Sequence, residues 1–248
     1  MTLTFSRLLA DAWSLFRRQA DLILRIALPL VVFPAFAVQL LCDPLPPLPP
    51  PPRDQPMLEA WIAQVGVWGQ TNAIWYLLAD AVSVFGLAAI AILLLDPDRP
   101  VVAGALRTAG TRLVAFILAS LLIAVPVGMS MWLFVLPGLW VQGRLSAVIP
   151  LLARAPGQRV VPAIRTSWRA TRGAGFALAG AVVSVFLLQW LAIVPLLSAD
   201  EWLRAPGNDN PLVLSVVDGG IALLGGAYHL SVLMIGVAAY IRLARKGS

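Results

Sequence analysis

Four ionisable residues fall inside long apolar runs: Asp80, Arg144, Asp218 and His229. A charge near the centre of a bilayer costs at least ~2.5 kcal/mol on insertion scales, so each is expected to be paired, to face a bundle interior or to line a wet cavity. Arg144 lies in "VLPGLWVQGRLSAVIPLL" and is the single charge between Leu113 and Leu152. Three environments suit its guanidinium: a carboxylate, with Asp80 and Asp218 available; an anion such as a lipid phosphate, gripped bidentately; or the nearer headgroups, reached by snorkelling. His229 titrates near neutral pH and can relay protons, or can be hydrogen-bonded inside the bundle. None of the four belongs to a cluster of carboxylates and histidines of the kind a catalytic metal requires, and no Ser or Cys has a base beside it. The sequence therefore points to no catalytic, metal or cofactor-binding residues.

The elements that must position these residues follow from composition. With 60% hydrophobic and 12% charged residues and a mean hydropathy of +0.86, 248 residues carry more apolar surface than a soluble core can hide. The fold class is all-α, an integral membrane bundle. The net charge of +6 would suit nucleic acid on a basic soluble module, but here the cations lie between apolar runs, so no nucleic acid is expected. Anionic headgroups are the better match. A single cysteine, Cys42, excludes an intramolecular disulfide and a thiolate cluster. The first apolar run, from about Asp21, has no small-residue cleavage site and reads as a retained anchor.

A crossing needs about 20 apolar residues. Six segments qualify: Leu22 to Leu41, Asn72 to Leu95, Arg112 to Met131, Leu133 to Leu152, Gly175 to Leu197 and Gly219 to Leu243. The third and fourth come from dividing one apolar stretch, which at helical rise would reach roughly 60 Å, too long for one crossing. The turn is expected between Pro126 and Gly138, with a kinked or re-entrant hairpin as the competing geometry. Fifteen of the 18 Lys and Arg residues fall on one side of this layout, Arg53 and Arg204 on the other, and Arg144 inside. By the positive-inside rule both termini are cytoplasmic. The outer side carries a proline-rich loop over residues 43–58, "DPLPPLPPPPRDQP" and its flank, with a polyproline II bias.

Three basic segments precede outward-going spans and have amphipathic helical spacing. In residues 1–20, Phe5, Leu8, Leu9, Ala12, Leu15 and Phe16 share a face opposite Arg7, Asp11, Ser14 and Arg18. In residues 159–173, Val161, Ile164 and Trp168 lie on one side and Arg165, Arg169 and Arg172 on another. Such helices are suited to lie among anionic headgroups, and these three arginines are the candidate lipid contacts. "GALRTAGTRLVAFIL" and "PAIRTSWRATRGAGFAL" share a small–aliphatic–Arg–Thr pattern before a span. The chain thus reads as one membrane domain, residues 1–248, of three units, each an interfacial helix followed by a hairpin.

The order "LPG", Arg144, Pro150 and "AIRTSWRATRG" resembles the bacterial family described as glycerophosphoryl diester phosphodiesterase membrane domain. The resemblance covers about Leu136 to Gly173, and "LLADAWSLFRR" fits the same layout. It implies a six-span helical domain in a bacterial cytoplasmic membrane. Hydrolase activity is not carried over, because that belongs to a separate soluble barrel in fused members. The expectation is a non-enzymatic membrane protein that binds anionic lipid or supports a membrane-protein partner, itself included. A small transporter with a polar path around Arg144 is the alternative.

Overall fold

The structure, a computed structural model, describes residues 4–96, 101–155, 157–205, 207–208 and 210–247, with side chains to residue 244. Of the cations assigned above to the basic side, Arg99 and the side chains of Arg245 and Lys246 lie outside the described residues. The chain is built of helices, with no strand among the described residues. Six of its helical segments are long and apolar enough to cross a membrane. Their lipid-facing surface is apolar: Val114, Trp132, Phe176 and Leu191 are almost entirely exposed.

After α1 (Phe5–Arg18) the first span runs through α2 (Ala20–Ala27), one π-helical turn (Leu28–Val32) and α3 (Phe33–Leu41). Pro29 and Pro34 each lack an amide donor, and the widened turn between them keeps the helix continuous across the gap in its ladder. The second span, α4 (Gln55–Leu95), is 41 residues long. At helical rise it reaches about 62 Å, far beyond the hydrocarbon core. It begins 17 residues before the expected Asn72, because Asp54 caps it: its Oδ1 accepts the Met57 N–H at 2.9 Å, with Pro56 in the first turn. The proline-rich loop therefore ends at Asp54 rather than at residue 58. Trp61 Nε1 donates to the Pro46 carbonyl at 3.1 Å and Trp68 Nε1 to that of Asp43 at 2.9 Å, so the loop folds back along α4.

α5 (Val102–Thr111) leads into α6 (Leu113–Leu133), and α7 (Val135–Leu145) with α8 (Val148–Arg154) forms the returning leg. The turn is Phe134 alone, at φ −155° and ψ 134°. It falls within the expected window, but not on either proline: Pro126 is inside α6 and Pro137 in the first turn of α7. Each leg has the length of a crossing, which favours two spans over a re-entrant hairpin. α9 (Val160–Ala170) then precedes the last pair, α10 (Gly175–Leu203) and α11 (Pro211–Gly247).

The spans close a ring in chain order, with α3 on α4, α4 on α6, α6 on α7, α7 on α10, α10 on α11, and α11 back on α3. The short helices gather at one end, the basic face, and each docks on the hairpin before it. α5 packs on α4, α9 on α6, α7 and α8, and α1 completes the cycle on α10 and α11. Arg242 of α11 pairs with Asp11 of α1, bringing the two termini to this same end. A residue with nearly the same backbone precedes each span: Gln19 (φ −132°, ψ 23°), Arg112 (−123°, 13°) and Ala174 (−120°, 7°), the first two being the whole link and the third the last of four residues between α9 and α10. The three-unit pattern read from the sequence is thus a repeated hinge and a repeated docking.

Packing is tightest toward the basic face, where Ile90, Phe116, Val148, Leu178 and Ile235 are fully buried. There α11 meets the α7–α8 junction backbone to side: a Cβ on Gly236 would collide with the Ser146 carbonyl. Gly226 and Gly220 likewise sit against Val32 and Leu196, whereas a Cβ on Gly225 would meet nothing within 4 Å. Gly236→Leu is expected to lower stability by about 1–3 kcal/mol through overpacking, and Gly225→Ala to be neutral or to stabilise by up to ~1 kcal/mol. Melting curves of the two variants in the same detergent check this; coincident midpoints would contradict the close approach at Gly236.

Candidate functional site

Arg144 occupies the last turn of α7 and is buried, 5% exposed. Its partner is neither Asp80 nor Asp218. Nε donates to Thr171 Oγ1 at 2.8 Å, and Nη2 donates to the Trp168 carbonyl. The guanidinium lies over two indoles, 4.3 Å from the Trp168 centroid and 5.2 Å from that of Trp140, whose rings meet edge to face. The Arg144 carbonyl accepts from Ser167 Oγ at 2.8 Å. Gly175, at the start of α10, leaves room for the assembly: a Cβ there would lie 3.2 Å from Arg144 Cδ and 3.3 Å from Trp140 Nε1. The charge is therefore met by neutral dipoles and aromatic faces rather than by an acid.

This cradle adds a third side to α9, between the apolar and the basic ones read from the sequence. The buried stripe is Val160, Ala163 and Ser167, continued by Thr171, while Val161 and Trp168 are exposed. Small residues and hydroxyls win the inward side because Thr171 accepts from the buried guanidinium and Ser167 donates to the Arg144 carbonyl, whereas bulky aliphatics would hold α9 away from α7. The i, i+4 spacing of Ser167 and Thr171 was visible in "TSWRATRG", but an amphipathic reading weighted by size passed over it. Arg165, Arg169 and Arg172 are exposed and have no carboxylate partner among the described residues.

Asp218 is 1% exposed and belongs to the opposite end. Arg204 Nη2 reaches its Oδ1 at 3.1 Å while Arg204 Nε bonds Asp200 at 2.8 Å. Its Oδ2 has no hydrogen-bond partner.

Asp80 and His229 come together differently, as parts of the wall of one cavity of about 600 Å³ inside the ring. Each lies fifteen residues from the basic-face end of its apolar span, Leu95 and Ala244, or roughly 22 Å at helical rise. Both are exposed residues, and neither makes a hydrogen bond or ion pair among the described residues. Gln142 lines the same space and accepts the Tyr228 hydroxyl at 2.7 Å. Ser83, Ser120 and Ser146 add hydroxyls to a wall that is otherwise mainly aliphatic. Arg144, around which a polar path was expected, does not line this cavity. Gln142 and the serines carried no signal in the sequence, where isolated polar residues on apolar helices are common.

If Thr171 rather than an acid is the partner of Arg144, then Arg144→Gln and Thr171→Val should be non-additive in stability by about 0.5–3 kcal/mol. Arg144→Gln and Asp80→Asn should add. Arg144→Lys should not restore the unaltered stability, because an ammonium lacks the planar fork. Melting temperatures of the single and double variants decide the matter; a coupling that appears with Asp80 instead would assign the partner differently. No protein family, curated protein or solved structure matches this chain.

Proposed function

We propose that this multi-pass membrane protein is non-enzymatic and holds anionic lipid at its basic face, organising membrane or a partner around it. The observation that carries this reading is the exposed, unpaired set Arg165, Arg169 and Arg172 on a helix whose other face is locked to the bundle through Arg144. A rigidly held row of guanidiniums loses little freedom when it meets phosphates, and each contact near an anionic surface contributes about 1 kcal/mol. The exposed Phe5, Trp13 and Trp168 at the same face favour the headgroup level, where aromatic rings partition. In this reading the basic face is cytoplasmic, both termini with it, and the membrane is the bacterial inner membrane. Kinship with the phosphodiesterase membrane-domain family forms part of the proposal. Its motif residues Ser167, Trp168 and Thr171 build the Arg144 cradle here.

The central cavity supports a second reading, a small transporter or exporter. Transporter sites gather near the bilayer midplane around ionisable residues, as Asp80 and His229 do. Two measurements separate the readings. Native mass spectrometry of the protein released from its own membrane should show bound anionic lipid that falls off in the Arg165→Gln, Arg169→Gln, Arg172→Gln triple variant; equal occupancy would sink the lipid reading. In a Cys42→Ser background, Ser83→Cys should react with a water-soluble thiol reagent if the cavity belongs to a transport path. A thiol protected under all conditions would remove that path.

A further inference from the structure

We infer that the central cavity is a binding site for a lipophilic organic monocation, with Asp80 as its counter-charge. The inference rests on the transport reading and names the substrate class that the wall would select.

Charge comes first. Among the described residues Asp80 is the only acid lining the cavity, no Lys or Arg lines it, and the other ionisable side chains in its wall are Tyr76 and His229. Elsewhere in the described residues four acids have arginine partners, Asp11 with Arg242, Asp21 with Arg25, and both Asp200 and Asp218 with Arg204, while Asp43, Asp54, Glu59 and Glu201 are exposed at the proline-rich face without one. Asp80, at membrane depth where a carboxylate most needs a partner, makes no hydrogen bond or ion pair among the described residues; the ionisable group that faces it is His229 of α11 in the same wall, which interacts with it electrostatically without pairing. A bound cation supplies the missing partner. An anion would face Asp80 with nothing to offset it, and an uncharged guest gives no reason for an acid in an aliphatic wall.

Size and chemistry then narrow the cation. A metal ion requires several ligands at short range; among the described residues no three His, Cys, Asp or Glu side chains stand together, and this wall sets one carboxylate beside neutral oxygens such as those of Ser83, Ser120 and Gln142. A volume of about 600 Å³ falls in the range of sites for drug-sized molecules, roughly 300–1,000 Å³. The aliphatic surface suits an apolar body. Tyr76, one helical turn from Asp80 on the same wall, offers an aromatic face to a cationic centre. A single acid fixes a single positive charge.

The approach is consistent with this choice. The proline-rich face exposes Asp43, Asp54, Glu59 and Glu201 against one arginine not paired to a carboxylate, Arg53, while Arg204 there is already engaged by two carboxylates. A field of this sign concentrates cations at that end and not at the basic one.

The test uses the whole chain in phosphatidylcholine nanodiscs, with empty discs subtracted, and two probes of the same shape and opposite charge. Tetraphenylphosphonium should bind saturably, one per chain, and tetraphenylborate should not compete. Asp80→Asn should weaken binding at least tenfold, Asp80→Glu should retain it, and Gly225→Phe, which fills open space, should abolish it. Arg17→Gln, at an exposed position of α1, should leave it unchanged. Melting temperatures must first show that each variant is folded. Equal binding by Asp80→Asn, or displacement by tetraphenylborate, overturns the proposal in favour of a neutral guest. Absence of saturable binding also overturns it. The thiol at Ser83→Cys then separates the two failures: if it is reachable from water, only the cation class is wrong, and if it is protected, the transport reading falls as well.

Discussion

A guanidinium cannot be left bare next to hydrocarbon, and the manner in which Arg144 is satisfied fixes the basic end of this molecule. An acid partner would have neutralised it locally and asked nothing of the backbone. The neutral cradle asks much more: two hydroxyls one helical turn apart, a free carbonyl at the end of α9, two indoles meeting edge to face, and a glycine where α10 begins. Hydrogen bonds to a charged group are worth about 1.5–3 kcal/mol each, and a desolvated cation–π contact about 2 kcal/mol, enough together to offset burial at a position near the headgroups. The same contacts orient α9 so that Arg165, Arg169 and Arg172 point away from the bundle.

The docking of α9 is one instance of a pattern that runs around the ring. Each short helix rests on the preceding hairpin and hands the chain to its span through a hinge near φ −125°, at Gln19, Arg112 and Ala174. Only the third unit uses a buried arginine for this. At the second, Arg112 itself is the hinge, donating to the Ala155 carbonyl at 3.1 Å and stacking over Phe116. At the first, the ion pair of Asp11 with Arg242 holds α1 to α11. Three different chemistries therefore secure one geometry. With the basic end so fastened and Gly236 pressed on Ser146, the bundle is closed below the cavity, and the looser packing lies above.

The spans were legible because hydropathy over twenty residues is a sum that no single side chain can overturn. The boundaries that shifted did so for local reasons. α4 began early because an aspartate cap and a proline in the first turn start a helix whatever its hydropathy, and "AWIAQVGVWGQT" is only moderately apolar. The turn at Phe134 was placed within a window but not on a residue, since proline is tolerated in a first turn and inside a membrane helix. The site was less legible. That Arg144 needed a partner followed from its type, but identifying Thr171 and Trp168 required knowing how α9 lies against α7. Asp80 and His229 were recognisable singly, and only the closing of the ring places them in one wall.

The distribution of satisfied and unsatisfied charge separates structural from functional ionisable groups better than burial does. Asp218 is almost wholly buried yet bound to Arg204, and Arg144 is buried yet enclosed by acceptors and rings; both are consistent with holding elements together. Asp80 and His229 are accessible at membrane depth and, beyond the electrostatic influence of one on the other, are held by no hydrogen bond or ion pair among the described residues, so they confer no packing benefit there. A bundle selected only for stability would place leucine there, filling space beside Val84 and Leu233 and removing a desolvation cost. Retaining an acid in that wall makes physical sense when something outside the chain completes the pairing, and the exposed arginines of α9 stand in the same relation to the headgroups at the opposite end of the charge scale.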